Sequence, residues 1–299
     1  MSSSSAQLHL RLSLSERIKT LPRRRLSYKL TDTQKLAGWQ PYTSPYKKPT
    51  VLTLARPGLP EKLMYCPQLT EIARKRFHDY LTSYSCPWII DSNAIRTIDD
   101  ALLLSEHHVQ TQELCAETDV RPVFNFAYGF VLGLLFRVMG LPTFLYKSSV
   151  PVFKAQDGRT NGLIAKCQFT VGGTSRMSAE ELAWLVAQHY LERIVEAARS
   201  QQPVVVDRQT KDETSIVSKV ALTNSELGLD RAIVHSTLQF IFLKKITQGN
   251  TTYFAVSDVH HSERDPIFET LISFLVNIPD DFGGKSFDDL IVESILAST

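Results

Sequence analysis

The chain has 299 residues, 43% of them apolar, which is enough for a sizeable core in one large domain or two small ones. Its four cysteines, Cys66, Cys86, Cys115 and Cys167, are too far apart for a structural zinc site and too few for a disulfide scaffold. The net charge of +2 hides an asymmetry: residues 1–80 hold 15 Lys/Arg against 5 Asp/Glu (+10), and the rest holds 18 against 26 (−8).

Met1–Ala6 is serine-rich, and its composition predicts disorder. Leu8, Leu10, Leu12 and Leu14 alternate with polar residues, the period of a half-buried strand that adds itself to a sheet edge. No secretory signal is visible, so an intracellular location in cytoplasm or nucleus is expected, and Asn250-Thr251-Thr252 then goes unglycosylated. A Ser- and Arg-bearing opening without acid before Glu16 also fits a mitochondrial presequence. Arg23, Arg24 and Arg25 form a basic cluster beside Ser27, a candidate phosphorylation site. Five prolines between Gly38 and Pro60 exclude a long helix there, and Trp39, Tyr42 and Tyr46 lie beside Lys47 and Lys48. Residues 1–59 therefore read as a basic, Pro-rich, partly disordered arm, and 60–299 as a single domain.

Leu69, Ile72, Phe77 and Leu81 predict a helix whose polar face carries Arg74, Lys75 and Arg76. A short strand over Pro87–Ile90 and a helix over Ala94–His107 follow. Pro122–Tyr146 is the most apolar passage, but Arg121 and Arg137 leave about 15 uncharged residues between them, short of the ~20 that a membrane span needs. It reads as a buried core helix, with Gly129 and Gly133 admitting a neighbouring backbone and Gly140 and Pro142 stopping it. A hairpin is expected from Phe144–Lys154 and Leu163–Val171 around Asp157-Gly158. A helix is expected over Ala179–Arg199, capped by Ser178 and Glu181. Strands are predicted at Pro203–Val206 and Ser215–Leu222. A second hairpin joins Ile233–Ile246 to Thr251–Val256 around Gly249, and helices at Pro266–Val276 and Phe287–Ala297 close the chain. The sum is an α+β fold: a mixed or antiparallel sheet built from two hairpins, packed by several helices around a buried helix near 122–140.

The richest chemistry lies in Asp258-Val259-His260-His261-Ser262-Glu263-Arg264-Asp265, where a strand leaves the sheet. Asp258, His260, His261 and Glu263 are candidate acid–base groups. His260, His261 and Asp265 are candidate ligands for a divalent metal, and no other cofactor is called for. The alternative is a solvated loop with Asp265 capping the next helix. His107-His108 sits at a helix end, and His189 reads as a packed or surface residue. Gly283-Gly284-Lys285-Ser286 has the tail of a phosphate-binding loop, but Pro279 stands where its first glycine belongs, so Ser286 is expected to cap a helix instead.

Over Val120–Arg199, the order helix, hairpin, helix resembles the core of PD-(D/E)xK nucleases. That resemblance implies carboxylates holding Mg²⁺ beside a lysine, with Asp157 as first acid. The second strand reads Ile164-Ala165-Lys166, with isoleucine in the glutamate position, so a degenerate core fits as well as an active one. The leading expectation is a non-catalytic interaction protein, contacting an acidic protein partner or nucleic acid through Arg23, Arg24, Arg25, Lys47, Lys48, Arg74, Lys75 and Arg76. The alternatives are a metal-dependent hydrolase or nuclease using the 258–265 loop, and a peripheral membrane protein.

Overall fold

The computed structural model describes residues 2–24, 59–111, 123–141, 152–154, 160–166, 191–204, 217, 220–221, 224, 229–235 and 238–298. Their elements are α1 (Ser2–Lys19), β1 (Lys62–Tyr65), α2 (Leu69–Thr82) and α3 (Ser92–Thr111), then α4 (Phe130–Val138), which a π-turn over Asn125–Gly129 leads into. After them come β2 (Val152–Lys154), β3 (Thr160–Lys166), α5 (Arg193–Arg199), β4 (Arg231–His235), β5 (Gln239–Gln248), β6 (Thr251–Val256) and β7 (His260–His261). The chain closes with α6 (Ile267–Leu275) and α7 (Phe287–Ser298).

The sheet is mixed, in the order β1-β6-β5-β4-β3-β2, with β7 also paired to β5. β1 runs parallel to β6 and β3 parallel to β4, while the β2/β3, β4/β5 and β5/β6 pairs are antiparallel. The α+β expectation holds, and both expected hairpins are present as β2/β3 and β5/β6. The second turns at Gly249, whose φ of +59° is a left-handed conformation that glycine adopts without strain. The outer edge of β1 is covered: Lys62 is bridged to Pro203, and the Leu63 and Val204 amides bond across.

Helices cover both faces, because the strands alternate two apolar sets. Ile233, Phe240, Phe242, Ile246, Tyr253 and Ala255 face one core with α1, α2, α3, α4, α6 and α7. Ala232, Val234, Ile241, Leu243, Phe254 and Val256 face a second core with α5 and the helical residues Val217, Val220 and Ala221. The buried helix stands in the first core as expected: Phe124, Ala127, Tyr128, Val131, Leu132, Leu135 and Val138 are fully enclosed. Each large side chain so enclosed contributes roughly 2–3 kcal/mol of transfer free energy. Gly140, at φ +63°, ends the helix.

Several expectations are corrected. Leu8–Leu14 is helical, not a strand, since Leu10, Leu14 and Ile18 pack inward while Leu12 stays 44% exposed. Ile233–Ile246 is two strands, β4 and β5, which pair with each other. Residues 217, 220 and 221 are helical where a strand was expected over Ser215–Leu222, and Pro87–Ile90 forms none. Gly129, within the π-turn, meets the Asn125 side chain (Oδ1 at 3.1 Å from an added Cβ) rather than a neighbouring backbone among the described residues. Asp157 with its turn, His189 and most of the predicted 179–199 helix lie outside the described residues, which show only its end as α5.

Candidate functional site

β1, β3, β4, β6 and β7 point the same way, so their carboxyl ends share one edge of the sheet. Chains leaving β1 and β7 there enter α2 and α6 on one face, whereas α5, between β3 and β4, lies on the other. Such a change of face opens a crevice at the carboxyl ends of strands. The 258–265 loop falls at this place.

A β-bulge shapes it. Leu243 pairs with Val256, but Phe240 pairs with His260 and Gln239 with His261, so Ser257–Val259 holds one residue more than β5 opposes. Ser257 fills the gap: its N–H donates to the Phe242 carbonyl at 3.0 Å, and its Oγ accepts the Phe242 N–H at 3.0 Å. The bulge sends Asp258 and His260 to different surroundings.

Asp258 lies with the second core's elements. Its Oδ1 accepts the Tyr65 hydroxyl at 2.6 Å, and Arg199 Nη2 stands 3.4 Å away with its guanidinium 4.8 Å from the Tyr65 ring centroid. Burial, then the bond to Asp258, raises the Tyr65 hydroxyl's pKa; the bond to Tyr65 raises that of Arg199. His260 lies in the first core, edge-on to Phe242, with Nε2 3.1 Å from Thr70 Oγ1 and Nδ1 3.8 Å from Asp265. Burial lowers its pKa and outweighs the pull of Asp265. His261 is lowered too, by burial and then by Arg264. Its Nδ1 contacts Gln239 Nε2 at 3.3 Å. Glu263 is exposed.

Both imidazoles are thus held neutral, and the unfolded chain binds more protons than the folded one below pH 6.5, the ordinary histidine value. Their contribution to stability is full above that pH and is lost as pH falls toward the lowered folded values. Urea midpoints at pH 7.5 and 5.5 should therefore differ less in a His260→Asn, His261→Asn variant than in the parent; an unchanged difference counts against this account.

The loop does not gather a metal site. No group of three or more His, Cys, Asp or Glu side chains converges as ligands among the described residues. Asp265 does not cap α6 either: its Oδ2 accepts the His261 N–H at 2.6 Å, closing the turn, and α6 has no side-chain cap. Ser286 does cap α7, accepting the Asp289 N–H at 3.0 Å while Asp289 accepts its N–H at 3.1 Å.

The candidate basic residues are scattered. Arg23 is exposed, whereas Arg24 is 4% exposed and donates to the Leu102 carbonyl and to Ser105 Oγ. Arg74 bonds Thr270, Lys75 pairs with Asp79, and Arg76 is buried against four carbonyls. Arg25, Ser27, Lys47 and Lys48 lie outside the described residues. Tyr65, Arg199 and Thr70 were missed in the sequence; only their positions at strand and helix ends hinted at them. No described helix is long and apolar enough to cross a membrane. Comparison with protein-family models, curated proteins and solved structures returns no match to this chain.

Proposed function

We propose that this is a non-catalytic interaction protein whose basic N-terminal region contacts an acidic partner or nucleic acid. The observation that carries this reading is the anchorage at Arg24. Its amide donates to the Ser262 carbonyl at 2.9 Å and its guanidinium is buried on α3, so the basic run that follows starts from a rigid base. Residues 25–57 carry six Lys/Arg (Arg25, Lys29, Lys35, Lys47, Lys48, Arg56) against Asp32 alone, interleaved with Tyr28, Trp39, Tyr42 and Tyr46. Positive charge with aromatic rings suits single-stranded nucleic acid. The groups of the 258–265 loop are engaged by their own framework, which weighs toward binding.

The second reading, a metal-dependent hydrolase or nuclease, draws on one observation. α4, the antiparallel β2/β3 pair and α5 follow in the order that the PD-(D/E)xK resemblance implies.

A gel-shift titration with labelled single-stranded RNA and DNA, with and without Mg²⁺ or Mn²⁺, tests both. If six phosphate contacts form, affinity should fall roughly 300-fold between 50 and 200 mM salt, and should collapse when the six cations are changed to glutamine. Binding that is flat in salt and survives neutralisation would overturn the nucleic-acid form of the proposal. Metal-dependent cleavage, lost in Asp258→Ala, would favour the second reading.

A further inference from the structure

We propose that the trough holding α1 is an exchangeable helix-docking site, filled in cis by α1 and in trans by the α1 of a second copy of this chain. The trough is formed by α2, α6 and the segment 83–90. Leu10, Leu14, Ile18 and Leu21 lie along it, the last three buried. Steps of four, four and three residues form the apolar stripe with which a helix fills a groove.

Polar contacts set the register of this stripe. Gln7 accepts the Ile90 N–H at 2.9 Å and donates to its carbonyl at 3.5 Å. Arg11, 5% exposed, donates to the carbonyls of Ser83 at 2.9 Å and Cys86 at 2.7 Å. Ser15 Oγ lies 2.7 Å from His78 Nδ1, whose Nε2 lies 3.0 Å from Glu269 Oε1. With Glu269 accepting the Nε2 proton, Nδ1 is left to accept the serine hydroxyl, so the three helices share one hydrogen-bonded chain. Arg17 pairs with Asp99 at the far end. Among the described residues, every hydrogen bond from α1 to the body runs through a side chain.

The tether permits exchange. The Arg24 amide is fixed on Ser262 and the Glu61 amide on Thr252. Their neighbours His261 and Thr252 pair with Gln239 and Thr247, eight residues apart on β5, which is about 26 Å. The 36 intervening residues can span at most about 130 Å, so chain length allows them to reach this trough or a neighbour's. Because contacts in cis and trans are the same, concentration decides between them. Covalent linkage favours docking in cis in dilute protein, and a connection too short to span the distance forces exchange.

The test uses the full chain with a specific protease sequence inserted between Gln40 and Pro41, and a fluorescent peptide of residues 2–24. Cleaved protein should take up the peptide, intact protein at least tenfold more weakly, and an Arg11→Ala peptide about tenfold more weakly again. A cleaved fragment that never exchanges over days, or a body that unfolds as the fragment leaves, overturns the proposal by making α1 an integral part of the core. As a second variant, deleting 26–57 leaves four residues between Arg24 and Glu61, able to span at most about 18 Å. A dimer with the parent's circular dichroism is expected; a native-like monomer of unchanged stability overturns the proposal. If this deletion does not fold, the peptide exchange decides.

Discussion

Replacing Arg76 with alanine should destabilise the protein by about 3 kcal/mol, measured as a shift in the urea midpoint, and lysine should recover little of it. The guanidinium donates to the carbonyls of Pro279 at 2.6 Å, Asp280 at 3.2 Å, Phe282 at 2.9 Å and Lys285 at 2.7 Å, and sits 5.9 Å from the Phe282 ring. These carbonyls belong to the loop between α6 and α7, which turns through two left-handed glycines, Gly283 at φ +76° and Gly284 at φ +78°. Without Arg76 four oxygens each lose a donor at once, the Pro279 oxygen keeping the Phe282 N–H at 3.1 Å, and α7 loses its fixed approach to the core. An ammonium cannot span all four. A loss below about 1 kcal/mol would show that water replaces the guanidinium, and would return Arg76 to the list of available surface cations.

Arg231→Ala should cost a similar amount, about 3 kcal/mol, by a different route. Arg231 opens β4, and its Nη1 donates to the carbonyls of Phe274 at 2.7 Å and Val276 at 2.9 Å, at the carboxyl end of α6. Helix ends leave such carbonyls without partners, and their partial negative charge attracts a cation. The guanidinium also lies 5.3 Å from the Phe287 ring, with Asp230 beside it. Removing it would uncap α6 and leave Asp230 with Lys244 as its remaining cation among the described residues. Arg231→Met keeps much of the volume but not the donors, so the difference between the alanine and methionine variants separates packing from hydrogen bonding. Equal losses in both assign the effect to the donors; a methionine variant as stable as the parent would sink the capping account. Asp230 itself is held below the usual carboxylate range, because Lys244 and Arg231 outweigh its burial. Its contribution is therefore present above pH 3.8 and lost only as the pH falls through its lower folded value.

Much of the fold was legible because burial writes a period into the chain. α2, α3, α4, α6 and α7 carry inward residues at helical spacing, and Gly249 marks the turn between β5 and β6. α1 was misread because Leu8, Leu10, Leu12 and Leu14 display two periods at once. Leu10, Leu14 and Ile18 repeat every four residues and pack inward, while Leu12 only imitates the alternation of a strand. β4 and β5 were fused because the polar residues at their junction, His235, Ser236, Thr237 and Gln239, include no glycine or proline to mark a turn.

The 258–265 loop stands out in the sequence because it holds two imidazoles and three carboxylates within eight residues. What they do with one another was not visible. One extra residue at Ser257–Val259 decides that Asp258 meets Tyr65 and Arg199, while His260 meets Thr70 and Phe242 elsewhere. The sequence by itself determined the amphipathic elements, the charge asymmetry and the location of the polar loop, because these follow from local periodicity and composition. Only the tertiary structure decided which arginines are surface charges and which are internal caps. A guanidinium's role depends on the carbonyls that converge on it from residues 200 or more positions away, as those of 279–285 do on Arg76.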